Sequence, residues 1–361
     1  MNSTIVCLKL NSQAKNNKQK ESIESTKNAF FIEGGGTRGI YAIGVLKYLF
    51  ENNSHLNLDS VNIFGGTSVG SFLATALSMG FQKDDIIQIS KIINIADLID
   101  KKYMFMITAY RFCSQGYLYD DIGRQKIICQ ILDFKIDMIK QHLGLGNDKN
   151  FRGKDLTFAH LKTLIALYPN IYKHLLINVV DISRSEQIFM SSLNDKCNDI
   201  KLFDAILASS AIPAVFKPVK LYFNPDLDKY NYHNTENSLE TYLVDGGISS
   251  GNPLDFFLLN DHIYSEYELW LIKFVDPPQY TKIDGFISLL KNTIDYLVSG
   301  KNNIKMKLVE ETYCINTINL HSKAGTFDIY TQPQIQTIID EVYNQCLTGM
   351  LYFDNKEKIE K

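Results

Sequence analysis

The chain has 361 residues, of which 45% are hydrophobic and 21% are charged, a composition typical of folded globular proteins with one large or two modest domains. Its formal net charge of −3 excludes a strong overall attraction to nucleic acid or to an anionic membrane. The six cysteines include no CxxC pair, which favours reduced thiols in a cytosolic protein over a zinc site or a disulfide framework. We therefore expect no nucleic-acid partner, no metal site and no other cofactor.

The first 27 residues are expected to form a mobile polar tail. They are rich in Asn, Gln, Lys, Ser and Glu and lack the apolar core of a secretory signal. No stretch of the sequence reaches the roughly 18 apolar residues that a bilayer-spanning helix needs, and Asn2 excludes N-myristoylation. These features predict a cytoplasmic protein, or one that contacts membranes peripherally.

Predicted strands and helices alternate from residue 28 onward. Short apolar runs predict strands at Ala29–Ile32, Val61–Phe64, Leu175–Ile182, Gln187–Met190, Glu240–Val244 and Glu268–Val275. Helical spacing of apolar residues predicts helices at Ile40–Phe50, Ser71–Gly80 and Asp204–Ser210, and over most of residues 83–145. The alternation predicts an α/β domain over residues 28–276, with a central mixed, mostly parallel sheet and helices on both faces. Residues 277–361 are expected to form a helical extension packed on this domain.

The loop EGGGTRG follows the first predicted strand and has two interpretations. Gly34-x-Gly36-x-x-Gly39 matches the dinucleotide-binding fingerprint, which also requires an acidic residue about 20 positions later, at the end of the second strand. Asp59 stands at the start of that strand, and Ser68 follows its end. The dinucleotide interpretation is therefore disfavoured, and the loop is interpreted as a set of backbone N–H donors for an oxyanion.

The segment GTSVG, with Ser68 at its centre, lies between a predicted strand and a predicted helix. This is the context of a nucleophile elbow, in which small neighbours permit a sharp turn and the serine hydroxyl is presented at the edge of the sheet. The following helix directs its positive N-terminal end toward any negative charge that develops there. Ser68 is therefore a candidate nucleophile for acyl transfer.

A serine nucleophile needs a group that accepts its proton. The two histidines after the strand at Glu240–Val244 are His262 and His321, and neither stands at a strand end beside glycines. Asp245 does, because it ends the run ETYLVD and is followed by two glycines. We expect Asp245 to lie at the same carboxyl edge of the sheet as Ser68 and to act as the base.

The motifs EGGGTRG, GTSVG and DGG, in this order, resemble those of the patatin-like phospholipase family, and ASSAIPAVFKP resembles a further block of the same family. The resemblance covers residues 28–276 and implies a patatin-like three-layer α/β fold. It implies a Ser–Asp dyad of Ser68 and Asp245, and an oxyanion loop formed by Gly34, Gly35, Gly36 and Arg38. The family's glycine loop usually opens with Asp, whereas Glu33 stands here, and a structural role is expected for this position.

The resemblance further implies a serine acyl-ester hydrolase that acts on membrane phospholipids or lysophospholipids without a cofactor. The alternative is a catalytically silent domain of the same fold that binds lipid or protein, which the intact dyad disfavours. Whether an activating protein partner is required stays open. Residues 101–112, with two lysines followed by apolar and aromatic residues, are a candidate for membrane contact or for a cover over the active-site mouth, with a buried helix as the alternative.

Overall fold

The chain forms one large sheet with helices on both faces. A computed structural model describes residues 5–9, 27–52, 56–92, 111–146, 148–260, 266–275, 280–285, 288, 289, 292, 293, 296, 315–322, 325 and 328–348. The strands are β1 (Ile5–Lys9), β2 (Lys27–Ile32), β3 (Val61–Gly66), β4 (His174–Asp181), β5 (Glu186–Ser191), β6 (Val219–Asn224), β7 (Lys229–Asn231), β8 (Leu239–Asp245), β9 (Tyr267–Phe274) and β10 (Ile315–His321). Hydrogen-bonded neighbours connect the strands in the series β1-β10-β9-β2-β3-β4-β8-β6-β7, and β5 also pairs with β4.

The centre of the sheet is parallel and its flanks are antiparallel. Strands β10, β9, β2, β3 and β4 run in the same direction, and β1, β5, β6, β7 and β8 form the antiparallel pairings. Central strands are apolar on both sides: on β2, Phe30 and Ile32 enter one core, and Ala29 and Phe31 enter the other. The predicted mixed sheet buried on both faces is therefore confirmed.

The two faces carry helical layers of unequal size. The helices are α1 (Gly39–Glu51), α2 (Val69–Ser78), α3 (Lys83–Ile92), α4 (Ile122–Asp133), α5 (Ile136–His142), α6 (Phe158–Leu167), α7 (Leu202–Ser209), α8 (Asp255–Leu259) and α9 (Gln332–Leu347). Buried residues of α1, α2, α4, α7 and α9 join the larger core, and Phe257 of α8 joins the smaller one. The described helices thus cover both faces, as the alternating sequence pattern predicts.

The two ends of the chain differ from the predictions. Strand β1 lies within residues 1–27, which were expected to be a mobile tail, and β10 lies within residues 277–361, which were expected to be helical. The physical reason is edge protection: β10 covers the backbone groups of β9, and β1 in turn covers β10. Asn316, Thr317 and Asn319 make β10 too polar to be recognised as a central strand from its sequence.

The C-terminal helix packs on the helix that follows the glycine loop. A Cβ at Gly44 of α1 would lie 2.7 Å from Val342 Cβ and 2.8 Å from the Ile339 carbonyl oxygen, so only glycine permits this approach of α9. Next to the glycine loop, the Thr37 hydroxyl donates a hydrogen bond of 2.7 Å to the carbonyl of Asp328. The end of the chain therefore supports α1 and the loop before it.

Two membrane-related expectations have different outcomes. None of the helices in the described ranges combines the length and the apolar character that crossing a bilayer requires. The candidate membrane-contact segment, residues 101–112, lies almost entirely outside the described residues, which resume at residue 111.

Candidate active site

Ser68 occupies a strained turn between β3 and α2. Its backbone φ of 53° and ψ of −126° lie in a region that costs a non-glycine residue about 1–3 kcal/mol. Glycines on both sides permit the turn: a Cβ at Gly66 would lie 2.3 Å from the Gly70 carbonyl group, and one at Gly70 would lie 2.1 Å from the Ile32 oxygen. Although Ser68 is the N-cap residue of α2, its side chain makes no capping hydrogen bond. Its hydroxyl is thus not used to stabilise the helix.

Strands β3 and β8 meet head-on along one edge of β4. Ile177 of β4 has two pairing partners, Gly66 of β3 and Met190 of β5. Strands β3 and β5 therefore lie on opposite edges of β4. Val179 of β4 likewise pairs with Asp245 of β8 and with Ile188 of β5. Since β5 occupies one edge of β4, β8 lies on the other edge, together with β3. Asp245 pairs two residues beyond Gly66 on β4, so it lies at the carboxyl end of β3, as expected, but on a strand that is antiparallel to β4. The acid reaches the elbow from the opposite direction.

The Asp245 carboxylate is buried with one oxygen uncommitted. Oδ1 accepts a hydrogen bond of 2.8 Å from the Gly247 N–H, whereas Oδ2 has no hydrogen-bond partner of standard geometry among the described residues. Burial raises the pKa of Asp245 to about 7, and the Gly247 N–H, the Ser68 hydroxyl and the charge of Arg124 oppose this rise. Ser68 is thus close enough to affect the carboxylate, although the two side chains form no hydrogen bond of standard geometry. A carboxylate of this pKa is half-protonated near neutrality and exchanges protons readily there.

Asn178 fills the gap between the ends of β3 and β8. Its side-chain amide donates to the carbonyls of Gly246 (3.1 Å) and Ser250 (2.9 Å), which belong to the turn after Asp245. Its own backbone carbonyl accepts a 2.7 Å hydrogen bond from the Ser209 hydroxyl. That hydroxyl in turn accepts the Ser68 N–H at 3.0 Å. A continuous chain of hydrogen bonds therefore joins the two turns that carry Ser68 and Asp245.

The glycine loop lies against the elbow. A Cβ at Gly34 would lie 3.1 Å from the Thr67 oxygen and 3.2 Å from Ser68 Cβ, so a side chain here would make this approach tight. The Gly34 N–H donates a hydrogen bond of 2.8 Å to the Gly251 carbonyl. This N–H is therefore already engaged and does not serve as the oxyanion donor predicted at this position. No hydrogen bond engages the N–H groups of Gly35 and Gly36 within the described part of the chain.

Arg38 is buried behind the glycine loop. Its Nε and its backbone N–H both donate to the Gly35 carbonyl, at 3.1 and 3.2 Å, and its guanidinium lies 5.4 Å from the centre of the Phe274 ring. The Gly35 carbonyl and the Gly36 N–H belong to one planar peptide and point in opposite directions. By holding the carbonyl, Arg38 directs the Gly36 N–H away from itself.

Glu33 has a structural environment. Its Oε2 accepts a hydrogen bond of 2.7 Å from the Phe274 N–H, and its side chain fills the space where a Cβ of Gly251 would stand. Both contacts tie the start of the glycine loop to neighbouring segments of the sheet edge. These contacts account for a carboxylate at position 33 without a role in chemistry.

Arg124 of α4 is a buried cation that sequence analysis did not identify. It donates to the carbonyls of Leu207 (2.8 Å) and Lys217 (3.0 Å), and within the described ranges its Nε has no hydrogen-bond partner. Burial lowers the pKa of Arg124 to about 10, with the negative charges of Asp121 and Asp245 opposing the decrease. The side chain remains cationic at neutral pH and lowers the pKa of Asp245. A lone arginine in a helical pattern carries no sequence signal for such a position.

No group of three or more His, Cys, Asp and Glu side chains in the described ranges is arranged to hold a metal ion. The chemical groups gathered around the elbow are a serine hydroxyl, a buried carboxylate and unpaired backbone N–H groups. They are suited to acyl transfer through a serine, which requires a nucleophile, a proton acceptor and oxyanion donors.

Comparison with known proteins identifies two relatives by sequence and one by fold. Uncharacterized protein L620 of Acanthamoeba polyphaga mimivirus is 47% identical over 334 residues, which cover 91% of this chain and 90% of that protein. A cGAMP-activated phospholipase of Vibrio cholerae serotype O1 is 25% identical over 247 residues, 64% of this chain and 57% of that protein. The crystal structure of VipD from Legionella pneumophila has a similar fold, with a TM-score of 0.50, 16% identity and coverage of 97% of this chain and 70% of that chain.

A family model described as patatin-like phospholipase matches residues 30–258. The match begins in β2, contains the glycine loop, the elbow and Asp245, and ends within α8. It spans more than half of the chain, and the resemblance found in the sequence motifs is thereby confirmed. The chain belongs to the patatin-like phospholipase family and is a phospholipase A-type lipid acyl hydrolase.

Proposed function

We propose that the chain hydrolyses acyl esters of phospholipids or lysophospholipids through a dyad of Ser68 and Asp245. The observation that carries the proposal is the uncommitted, buried Oδ2 of Asp245 beside an elbow serine whose hydroxyl makes no capping bond. Neither feature stabilises the fold: the turn at Ser68 is strained, and burying an unpaired carboxylate oxygen is costly. Such features are expected where they serve catalysis.

In the first half of the reaction, the Ser68 oxygen attacks the ester carbonyl carbon and its proton passes to Asp245. The carbonyl oxygen becomes an oxyanion, which accepts hydrogen bonds from the N–H groups of Gly35 and Gly36. Arg38 holds the peptide between these glycines, and the N-terminus of α2 adds its positive end. When the tetrahedral intermediate collapses, the alcohol part of the lipid leaves with the proton from Asp245, and the acyl group remains on Ser68.

In the second half, Asp245 accepts a proton from water as the water oxygen attacks the acyl-enzyme. The same donors stabilise the second oxyanion. Collapse of this intermediate releases the fatty acid and returns the proton to the Ser68 oxygen. The pKa of about 7 at Asp245 suits a group that must accept and return a proton in each half at neutral pH.

Labelling with a fluorophosphonate tests the dyad, with intact mass as the readout. We expect one adduct on the wild-type chain, none on Ser68→Ala, and labelling of Asp245→Asn that is slower by about 10²- to 10⁴-fold, the range for loss of a general base. Asp204→Asn is a matched control because burial also raises the pKa of Asp204, yet this carboxylate accepts the Tyr232 hydroxyl and lies outside the proposed dyad. It should label at the wild-type rate.

Fatty-acid release from vesicles of phosphatidylcholine and from lysophosphatidylcholine then tests the substrate class. Release that depends on both Ser68 and Asp245 is the expected result. An unlabelled wild-type chain, tested with vesicles and with cell extract to supply an activator, would overturn the proposal in favour of a silent lipid- or protein-binding domain. Equal labelling of wild type and Ser68→Ala would assign the nucleophile elsewhere.

A further inference from the structure

The contact between the two members of the proposed dyad is loose. Among the described residues no hydrogen bond of standard geometry reaches Oδ2 of Asp245, although the Ser68 hydroxyl lies close enough to lower the pKa of this carboxylate. The residues belong to turns that follow strands running in opposite directions, and these turns are distant in sequence. A misplacement of about 1 Å between reacting groups typically costs on the order of 10²-fold in rate. Some other contact must therefore fix the distance between the turns.

On the elbow side, the fixed contact is Ser209 at the last position of α7. Its buried hydroxyl accepts the Ser68 N–H at 3.0 Å and donates to the Asn178 carbonyl at 2.7 Å. The hydroxyl thus uses its proton and one lone pair at once. The Ser209 hydroxyl therefore holds Ser68 by the backbone N–H of this strained residue. A small rotation of the backbone at this point would move the Ser68 side chain.

On the acid side, the fixed contact is the amide of Asn178. Its two N–H groups serve the carbonyls of Gly246 and Ser250, and its oxygen accepts a 3.0 Å hydrogen bond from Gln187 Nε2. A Cβ at Gly246 would lie 2.4 Å from the backbone carbonyl oxygen of Asn178, so the turn after Asp245 packs directly on Asn178. Asn178 is fully buried, and water does not compete for these bonds.

We propose that Asn178 and Ser209 are a pair of positioning residues that set the register between Ser68 and Asp245. This inference rests on the proposed function, because it assigns the pair a role in the same reaction. Neither residue touches the reacting atoms; both act through the backbone of the two catalytic turns. Their loss should therefore lower the rate of the chemical step with little effect on substrate binding.

Ser209→Ala tests the elbow side, and the chain offers a closely matched control. Ser191 is also a buried serine whose hydroxyl donates to a β4 carbonyl, that of Leu175 (2.8 Å), and accepts a backbone N–H, that of Leu193 (3.0 Å). Ser191→Ala thus removes the same two types of hydrogen bond away from the proposed dyad. Comparable melting temperatures for the two variants would show that the structural cost is shared.

We expect Ser209→Ala to lower kcat and the rate of fluorophosphonate labelling by 10- to 100-fold, with KM changed by less than about threefold. Ser191→Ala should retain the wild-type kcat and labelling rate. Asn178→Leu, which is similar in size and adds no charge, should also lower kcat. Because the two residues act as one unit, the double variant should lose much less than the product of the two single losses.

The possible results separate this inference from the function it rests on. A wild-type chain that is not labelled overturns the proposed function. A labelled wild type with Ser209→Ala and Asn178→Leu both equal to Ser191→Ala in kcat overturns the positioning role alone. An increase in KM without a decrease in kcat would also overturn the positioning role. If one variant fails to fold, the other tests the same chain of hydrogen bonds from its opposite end.

Discussion

Gly66 and Asp245 end two strands that run toward each other along one edge of β4, opposite Ile177 and Val179. A single residue, Asn178, separates the two pairing partners, so the register of both strands on β4 determines how close the elbow comes to the acid. Since the side-chain period of a strand is two, a slip of one residue in β8 would turn Asp245 to the other face of the sheet. The geometry of the site is thus a property of the sheet as a whole.

The first prediction concerns the pH dependence of the reaction. The pKa of Asp245 is raised to about 7 by burial, and a base acts only when deprotonated. The labelling rate should therefore increase about tenfold per pH unit below pH 7 and level off above it. Rates measured from pH 5 to 9 with one fluorophosphonate provide the test, and a rate independent of pH over this range would contradict Asp245 as the base.

The second prediction concerns stability. An unfolded aspartate has a pKa of about 3.9, so between about pH 4 and 7 folded Asp245 binds more protons than its unfolded counterpart. The free energy of unfolding therefore decreases as pH rises through this window. Asp245→Asn removes the effect and should raise the melting temperature relative to wild type at pH 8 more than at pH 4. Asp137→Asn, which replaces an exposed aspartate of α5 away from the proposed dyad, provides the control for the substitution itself.

The third prediction concerns Arg124, whose positive charge lowers the pKa of Asp245. Arg124→Met keeps an unbranched side chain but removes the charge, so the midpoint of the pH–rate profile should move upward. Activity at pH 6 should fall by more than activity at pH 9. The exposed Arg152 serves as the control, because Arg152→Met removes a charge outside the site. An unchanged midpoint in folded Arg124→Met would refute the electrostatic role.

The fourth prediction concerns the glycine loop. Gly36 has a φ of +57° and Gly146 a φ of +54°, so alanine at either position costs a similar amount of backbone strain. Only Gly36→Ala disturbs a proposed oxyanion donor, and it should slow labelling by about 10²- to 10³-fold. Gly146→Ala meets nothing within 4 Å and should label at the wild-type rate. Equal rates for the two variants would show that labelling does not depend on the backbone conformation of Gly36.

The fifth prediction concerns the contact between α1 and α9. Gly44→Ala would place a Cβ 2.8 Å from the Ile339 carbonyl oxygen, and it should destabilise the fold by about 1–3 kcal/mol through overpacking. Gly285→Ala, where a Cβ meets nothing within 4 Å, is the control. Denaturant unfolding measures both. A neutral Gly44→Ala would show that α9 is not tightly packed on α1 in solution.

The features that follow from local sequence were predicted correctly. The elbow at Ser68 depends on residues adjacent in the chain, because glycines at positions 66 and 70 are what the turn requires. The apolar runs of β2 and β3 likewise report burial on both faces without knowledge of their partners. The α/β class and the family follow from such local signals.

The remaining features depend on which segments meet in space, and only the tertiary structure decided them. The direction of β8 is defined by its antiparallel pairing with β4. Its sequence alone is compatible with either a parallel or an antiparallel strand. β10 is recognisable as a strand only once β9 and β1 flank it. Asn178, Ser209 and Arg124 have no sequence signal of their own, because a buried polar side chain acquires its role from partners that folding brings to it.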